Sequence, residues 1–176
     1  PDGKSVYFDV RIAGTTEPWS TNFDVYSVPV DGSTAPKNLT ADNRAWDAYP
    51  VASPDGKTLY YLAMKTPGSE ADRFAIMALD LASGTRHEVD PSWDRSPGGL
   101  TISADGKTLY VTADDNGQHP LFAIDAASGK VSQLVGEGTV GGYSMAAGKL
   151  LLTRDDLKRP ADVYLALADG SALKQV

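Results

Sequence analysis

Short apolar runs recur along the chain, each bounded by turn residues. The first run of each set covers residues 6–8, 59–62, 109–111 and 150–152, and the second covers residues 25–30, 74–81, 121–124 and 163–167. These runs are rich in β-branched and aromatic residues, and none shows the periodicity of a capped helix. They are nearly continuous in apolar character, which is typical of sheets covered on both faces. The pattern predicts an all-β protein.

A four-residue turn motif divides these runs into units. Pro1-Asp2-Gly3-Lys4 recurs as Pro54-Asp55-Gly56-Lys57, as Ala104-Asp105-Gly106-Lys107 and, without its aspartate, as Ala147-Gly148-Lys149. Proline presets φ at the first corner of a turn, and glycine accepts the positive φ that other residues resist, so the motif predicts hairpins. A period of roughly 50 residues indicates propeller blades or solenoid units.

We predict a partial β-propeller with three complete four-stranded blades and three strands of a preceding blade. The blade strands are expected within residues 4–40, 47–90, 98–135 and 140–176. The inner strand of the first blade is expected to precede Pro1, and propellers carry about 4–8 blades, so the ring is expected to be incomplete. Pro29 falls in a predicted strand, where a bulge or a strand end at Val28 would accommodate it.

Charge and composition exclude several classes of partner. The formal net charge is −7, and the longest basic cluster is Lys158-Arg159, so neither a nucleic acid nor an anionic membrane is expected to bind. The chain has no cysteine, which excludes disulfides and thiolate metal sites. No apolar run is long enough to span a membrane, and no cofactor or metal is predicted. The composition leaves the compartment open between bacterial periplasm and cytoplasm.

Several segments carry a family resemblance. The repeated turn motif resembles the propeller repeats of TolB and of the prolyl oligopeptidase family of serine peptidases. Glu70-Ala71-Asp72-Arg73, Trp93-Asp94-Arg95-Ser96 and residues 159–164 occur in an order similar to the bacterial acylaminoacyl-peptidase and dipeptidyl-aminopeptidase branch. The resemblance implies a parent serine peptidase whose α/β-hydrolase domain follows soon after Val176. In such enzymes that domain carries a Ser-Asp-His triad, and the propeller restricts which peptide substrates reach it.

The resemblance leaves a second function open. A TolB-like propeller would act as a periplasmic protein–protein binding module, and a structural repeat protein without a ligand is a third possibility. The sequence that follows Val176 would discriminate these classes, because only the peptidase requires a nucleophile elbow with Asp and His behind it.

No catalytic residue is predicted within this chain. Ser144 lies in a Gly-x-Ser-x-Ala sequence close to the nucleophile-elbow pattern, but it falls in a predicted strand, and no histidine follows it. His87 and His119 are expected to be surface or structural residues, since neither has a flanking carboxylate at ligand spacing. Asp114-Asp115-Asn116-Gly117 lacks the calcium-loop pattern and predicts a β-turn.

One face of the propeller is predicted to gather charged loop residues. In a four-stranded blade, the loop between strands two and three lies on the same face as the crossing to the next blade. The candidates for a substrate-facing rim on that face are Glu70, Asp72, Arg73, Asp94 and Arg95, and the same face is expected to include residues 44–47 and 154–156. The alternative role for these charges is bracing of loops and blades by ion pairs.

The resemblance and the predicted termini add two expectations. Some relatives place propeller glutamates where they bind the free amino terminus of a peptide, and Glu70 is the best candidate here, although the paired-glutamate motif of the dipeptidyl peptidase IV branch is absent.

Each terminal blade is expected to expose one apolar face and the first also an open strand edge, so the chain is expected to self-associate.

Overall fold

The fold consists of four antiparallel sheets that follow one another along the chain. The computed structural model describes residues 2–176; Pro1, in the first copy of the turn motif, lies outside the described residues. The first sheet has three strands, β1 (Ser5–Arg11), β2 (Phe23–Pro29) and β3 (Lys37–Asn38), and a 3₁₀-helix (Gly14–Trp19) lies between β1 and β2. We call this sheet blade 1.

The other three sheets have four strands each, and their strands are hydrogen-bonded in chain order. Blade 2 comprises β4 (Asp47–Ala52), β5 (Thr58–Ala63), β6 (Ala75–Asp80) and β7 (Arg86–Glu88); blade 3 comprises β8 (Pro97–Ile102), β9 (Thr108–Ala113), β10 (Leu121–Asp125) and β11 (Val131–Val135); blade 4 comprises β12 (Thr139–Ala146), β13 (Lys149–Asp156), β14 (Arg159–Leu167) and β15 (Lys174–Gln175). The prediction of an all-β partial propeller with three complete blades and three further strands is confirmed.

The repeated motif forms the same turn in blades 2 and 3. The Ser53 hydroxyl donates to Asp55 at 2.6 Å and accepts a hydrogen bond from the backbone N–H of Thr58 at 3.0 Å. Ser103, Asp105 and Thr108 repeat both bonds at the same distances. Blade 4 lacks the aspartate and instead places Ala147 and Gly148 at φ values of 48° and 72°. Two successive residues with positive φ are required by a two-residue hairpin turn of type I′, so the degenerate copy still forms a tight turn.

Pro29 ends β2 without a bulge. The register from β1 to β2 runs unbroken from Arg11–Phe23 to Ser5–Pro29, so the expected bulge or early end at Val28 is wrong. The N–H of Val30 donates to Lys4, and β3 pairs with β2 only as far as Ser27. Because backbone groups alternate along a strand, the N–H that proline lacks would point toward β3, beyond the point where β3 begins to pair. The ladder therefore loses no hydrogen bond.

The buried side chains form three clusters, each at the seam between consecutive blades. Val25 of blade 1 packs with residues of blade 2, including Leu59 and Tyr61. The seam between blades 2 and 3 includes Leu62 and Val111, and the seam between blades 3 and 4 is made by residues such as Leu121, Val140 and Leu150. Each interior blade thus buries both of its faces, which is why its strands are apolar nearly throughout. Within residues 2–176, no helix has the length and apolar character needed to cross a membrane.

Candidate functional site

Charged and aromatic side chains collect at one end of the sheets, which we call the loop face. Because consecutive strands are antiparallel, the loops that follow the second strand of each blade lie at the same end as the crossings between blades. In blades 2 to 4 this face comprises residues 64–74, 90–96, 114–120, 136–138 and 157–158. The tight turns of the repeated motif lie at the opposite end. Four of the five candidate rim residues make defined contacts here.

Asp72 fixes the shape of its own loop. Its carboxylate accepts hydrogen bonds from the backbone N–H groups of Lys65 at 2.8 Å, Thr66 at 2.6 Å and Arg73 at 2.8 Å. Those backbone hydrogen bonds, led by that of Lys65, lower the pKa of Asp72 because they favour the charged carboxylate. All three contacts stay within residues 65–73, so Asp72 holds the base of this loop closed.

Arg73 joins the same loop to the outer strand and to the next crossing. Its guanidinium donates to Glu88 at 2.6 Å and to the carbonyl oxygen of Trp93 at 3.1 Å. Glu88 also binds the Lys65 ammonium at 3.0 Å. Burial alone would raise the pKa of Glu88, but the hydrogen bonds from Arg73 and Lys65 outweigh it and lower that pKa. Arg73 thus pairs with a carboxylate of its own blade, the kind of contact that the bracing alternative requires.

Arg95 makes the equivalent connection in blade 3. Its Nε and Nη2 atoms donate to Asp115 at 3.0 and 2.8 Å, and it also pairs with Asp94, whose side chain is 82% exposed. The arginine therefore links the crossing before β8 to the hairpin between β9 and β10. Glu70 lies exposed in the loop between β5 and β6, and within residues 2–176 it has no hydrogen bond or ion pair. A role for any of the five residues in binding substrate remains a prediction.

Removing the acceptor of Arg73 should loosen the loop face. We expect Glu88→Gln to lower the free energy of unfolding by about 1–3 kcal/mol, because the Glu88 side chain is only 13% exposed and the variant leaves two cations without a charged partner. The exposed Asp94→Asn is the matched control and should cost less than about 1 kcal/mol. Urea unfolding measures both. Equal losses in the two variants would contradict a bracing role for Glu88.

The crossing segments are anchored by aromatic rings. Trp46 stacks on Phe23 of blade 1 with ring centroids 4.7 Å apart and meets the edge of Phe74 at 5.8 Å. Trp93 contacts Phe122 of blade 3 at 5.2 Å in an edge-on arrangement. These contacts fix the polypeptide between blades, so the charged residues beside each tryptophan are held on an ordered support.

Asp47 was expected on the rim with its neighbours but is fully buried. It begins β4, and one carboxylate oxygen accepts a hydrogen bond from Asn43 at 2.8 Å while the other is buried without a partner. Burial raises its pKa to about 7; the charge of Asp24 also raises that pKa, and the hydrogen bond from Asn43 opposes the shift. Comparison of the repeats indicates this burial. Asp47 precedes Ser53 by the same number of residues as Pro97 precedes Ser103, and Pro97 is also buried.

A cavity of about 400 Å³ lies beside this buried carboxylate. Its apolar walls include Tyr61 and Met77, and its polar wall includes Arg86, which binds Asp42 at 2.5 and 2.7 Å. The Nε of Arg86 is buried and has no hydrogen-bond partner. The sequence does not predict that Asp42, Asp47 and Arg86 come together between blades 1 and 2.

His119 ties blade 3 to blade 4. Its backbone N–H donates to Gly138 at 3.0 Å and its carbonyl accepts from Val140 at 2.9 Å, while the ring Nδ1 lies 2.6 Å from the Asp114 carboxylate. A cavity of about 690 Å³ lies beside it. The expectation of a surface or structural histidine is confirmed, although a flanking carboxylate, Asp114, is present after all.

The other sequence candidates lie in a strand and in a hairpin turn. Ser144 lies inside β12 opposite Leu151, and a turn rather than a helix follows the strand. Asn116 and Gly117 form a hairpin turn with φ values of 50° and 76°, closed by reciprocal backbone hydrogen bonds of 3.0 Å between Asp115 and Gln118. In the part of the chain that the structure describes, no three His, Asp or Glu side chains come together as a metal site.

Successive four-stranded sheets that pack face on face, with tight turns at one end and braced loops at the other, define this chain as a β-propeller. The family described as "Lactonase, 7-bladed beta-propeller" matches residues 26–146. The chain belongs to that family.

Two peptidases and a TolB protein are similar to the chain. Dipeptidyl-peptidase 5 of Porphyromonas gingivalis is 29% identical over 178 residues, a match that covers 100% of this chain and 26% of that protein. A chain from Agrobacterium tumefaciens that is assigned as TolB has a TM-score of 0.77 at 20% identity, covering 99% of this chain and 61% of that one. An acylaminoacyl peptidase of Pyrococcus horikoshii has a TM-score of 0.73 at 19% identity, covering 99% and 26%.

The structural matches and the sequence match support different conclusions. The two solved structures show the fold alone, because their sequences have diverged far from this one. The sequence match shows a peptidase homologue, of which the chain spans about a quarter.

Proposed function

We propose that the chain is the non-catalytic propeller portion of a serine exopeptidase. In this proposal it docks against an α/β-hydrolase domain encoded downstream and restricts which peptides reach a Ser-Asp-His triad in that domain. The observation that carries the proposal is the match of the whole chain to about a quarter of a dipeptidyl-peptidase. Rigid support of the loop face by Asp72, Arg73 and Arg95 is consistent with a surface that must hold its shape against a second domain.

The proposed exopeptidase role is tested on the full gene product and on this chain side by side. We expect the full product to release p-nitroaniline from dipeptidyl and aminoacyl p-nitroanilides, and to lose that activity with a serine-directed inhibitor. This chain alone should hydrolyse neither those substrates nor an activated ester. Hydrolysis by the chain that disappears in Ser144→Ala would contradict its non-catalytic role, and an inactive full product would contradict the peptidase assignment.

A TolB-like binding module is the second candidate, supported by the similarity in fold to the Agrobacterium protein. It predicts a full gene product that has no hydrolase domain and no peptidase activity but retains a protein partner. The sequence downstream of Val176 separates the two candidates, since only the peptidase requires a nucleophile elbow there.

We expect self-association of this chain because blade 4 has an apolar outer face. Leu150, Leu152 and Ala166 are buried against blade 3, whereas Leu151, Val163 and Leu167 on the opposite face are 47%, 40% and 49% exposed. The register places Leu151 opposite Leu165 and Thr153 opposite Val163, so these apolar residues share one face. Such a face normally packs on another blade, and in the isolated chain a second copy is its available partner.

We therefore expect the isolated chain to form dimers at micromolar concentration, measured by size exclusion with light scattering. Leu151→Glu should weaken the dimer by about tenfold or more, because it places a charge in the contact. Leu157→Glu is the control, since Leu157 is fully exposed at the tip of the β13–β14 hairpin and off this face. A monomeric wild type, or an equal effect of both variants, would show that this face does not mediate association.

A further inference from the structure

Tyr49 has an unfavourable backbone conformation for a bulky residue. Its φ is 55°, in the left-handed region, and the next residue is Pro50. A large side chain disfavours that region, and so does a following proline. The other non-glycine residues with positive φ are Asn116, Ala147 and Ala172, which lie outside the strands. Tyr49 lies inside β4.

The fold itself does not require a tyrosine here. Tyr49 and Pro50 form a bulge between the paired residues Ala48 and Val51, and Gly99 and Leu100 form the same bulge between Gly98 and Thr101 in blade 3. The corresponding residue in blade 3 is Gly99, with φ of 66°. Glycine adopts this conformation without a steric penalty, so blade 3 builds the same strand unstrained.

Burial does not compensate for the strain. Tyr49 is 51% exposed and belongs to none of the three buried clusters. Its backbone N–H donates to the Asp9 carboxylate of β1 at 3.2 Å, which holds the bulge in place from the neighbouring blade. Strand β4 is the first strand of its sheet and contacts β1 and β8, so Tyr49 lies on the inner edge of blade 2, which has blades 1 and 3 on either side.

We propose that Tyr49 is a specificity-determining residue that contacts an extended peptide passing along the inner edge of blade 2, which β4 forms. This inference rests on the proposed peptidase function and names one contact within it. A strained and exposed residue persists where its side chain has a use, and a phenol ring offers a flat apolar surface with a polar tip. That surface suits the backbone and apolar side chains of a peptide, and the hydrogen bond from the backbone N–H of Tyr49 to Asp9 holds the bulge that carries the ring.

Three variants separate the ring, the hydroxyl and the strain. Tyr49→Gly removes the ring and the strain, Tyr49→Ala removes only the ring, and Tyr49→Phe removes only the hydroxyl. We expect Tyr49→Gly to raise the midpoint of thermal unfolding, because glycine relieves the backbone. Ala172→Gly is the matched control, because it changes another left-handed residue to glycine in the turn between β14 and β15, at the end of the sheets opposite the loop face.

The functional readout is kcat/KM of the full gene product. With peptide substrates of five or more residues, Tyr49→Gly and Tyr49→Ala should each lower kcat/KM by roughly tenfold, the size expected for one lost aromatic contact. With a small activated ester, both should match the wild type, and Ala172→Gly should match it with every substrate. Tyr49→Phe should keep most of the peptide activity, since the ring makes most of the contact.

The outcomes separate this inference from the proposed function. An inactive wild-type product overturns the proposed function, and with it this role of Tyr49. An active wild type with unchanged kcat/KM in Tyr49→Gly and Tyr49→Ala overturns the inference alone. A Tyr49→Gly variant that unfolds at a lower temperature than the wild type would also overturn it, because the ring would then serve the fold.

Discussion

Asp47→Asn is expected to make the chain more stable than the wild type at pH 8 by as much as about 4 kcal/mol. The aspartate is fully buried, one of its oxygens has no partner, and burial raises its pKa from 3.8 to about 7. Between these two values the unfolded chain has released the proton while the folded chain still binds it. Asparagine keeps the shape and the acceptor for Asn43 without the charge.

The raised pKa of Asp47 determines the direction of the pH dependence. Because the folded state binds the extra proton, the contribution of Asp47 is complete below about pH 4 and is lost as the pH rises toward 7. The difference in unfolding free energy between Asp47→Asn and the wild type should therefore grow from pH 4 to pH 7 and be constant above it. Carboxylates common to both proteins cancel in this difference. Urea unfolding at several pH values measures it.

Asp42→Asn provides a control of opposite sign. The hydrogen bond from Arg86 lowers the pKa of Asp42, so its contribution to stability is present above the unfolded pKa and is lost as the pH falls. The Asp42 variant should therefore be less stable than the wild type at neutral pH and approach it in acid. Parallel curves for Asp47→Asn and the wild type from pH 4 to pH 8 would show that the carboxylate is not protonated in the folded chain.

Gly129→Ala is expected to destabilise the chain far more than the same change at Gly84. Both glycines occupy the turn after the third strand of a blade, with φ of 73° and 76°, so alanine costs each about 1–2 kcal/mol in backbone strain. A Cβ at Gly84 would meet nothing within 4 Å. At Gly129 it would overlap the carbonyl oxygen of Val89 in blade 2 and lie 3.1 Å from the carbonyl carbon.

The overlap at Gly129 involves backbone, which cannot move aside as a flexible side chain can. We expect Gly129→Ala to lose about 3–5 kcal/mol in total, because overpacking adds to the strain, and the excess over Gly84→Ala measures the contact between blades 2 and 3. Urea denaturation of both variants supplies the comparison. Losses of equal size would indicate that blade 3 moves away from Val89 at little cost.

The architecture was predictable because local chemistry specifies each of its parts. The turns at Asp55 and Asp105 need only their own serine, aspartate and glycine, and these residues are visible in the sequence. The apolar runs between them indicate strands covered on both faces. The partner of Arg73 was also foreseeable in kind, since opposite charges are dense on the face to which the topology brings it.

What escaped prediction depends on contacts between blades or on a single backbone angle. Asp47 follows the charged segment of residues 42–44, and only its place at the start of an inner strand marks it as buried. The strain at Tyr49 appears when its bulge is compared with that at Gly99. The sequence does not predict the contact between Asp114 and His119. These side chains meet across a hairpin, and the sequence predicts the turn of that hairpin but not which residues on its two sides face each other.

The three buried clusters have a mechanical consequence. A protein with one shared core unfolds as a unit, but here each cluster involves only consecutive blades, so the cores are arranged in series. Loss of blade 1 would remove one cluster and leave the other two in place. The outer blades can therefore open locally while the pair formed by blades 2 and 3 stays closed, and its amide protons should exchange with solvent most slowly. The ion pairs of Arg73 and Arg95 lie on blades 2 and 3, the two blades that are expected to open last.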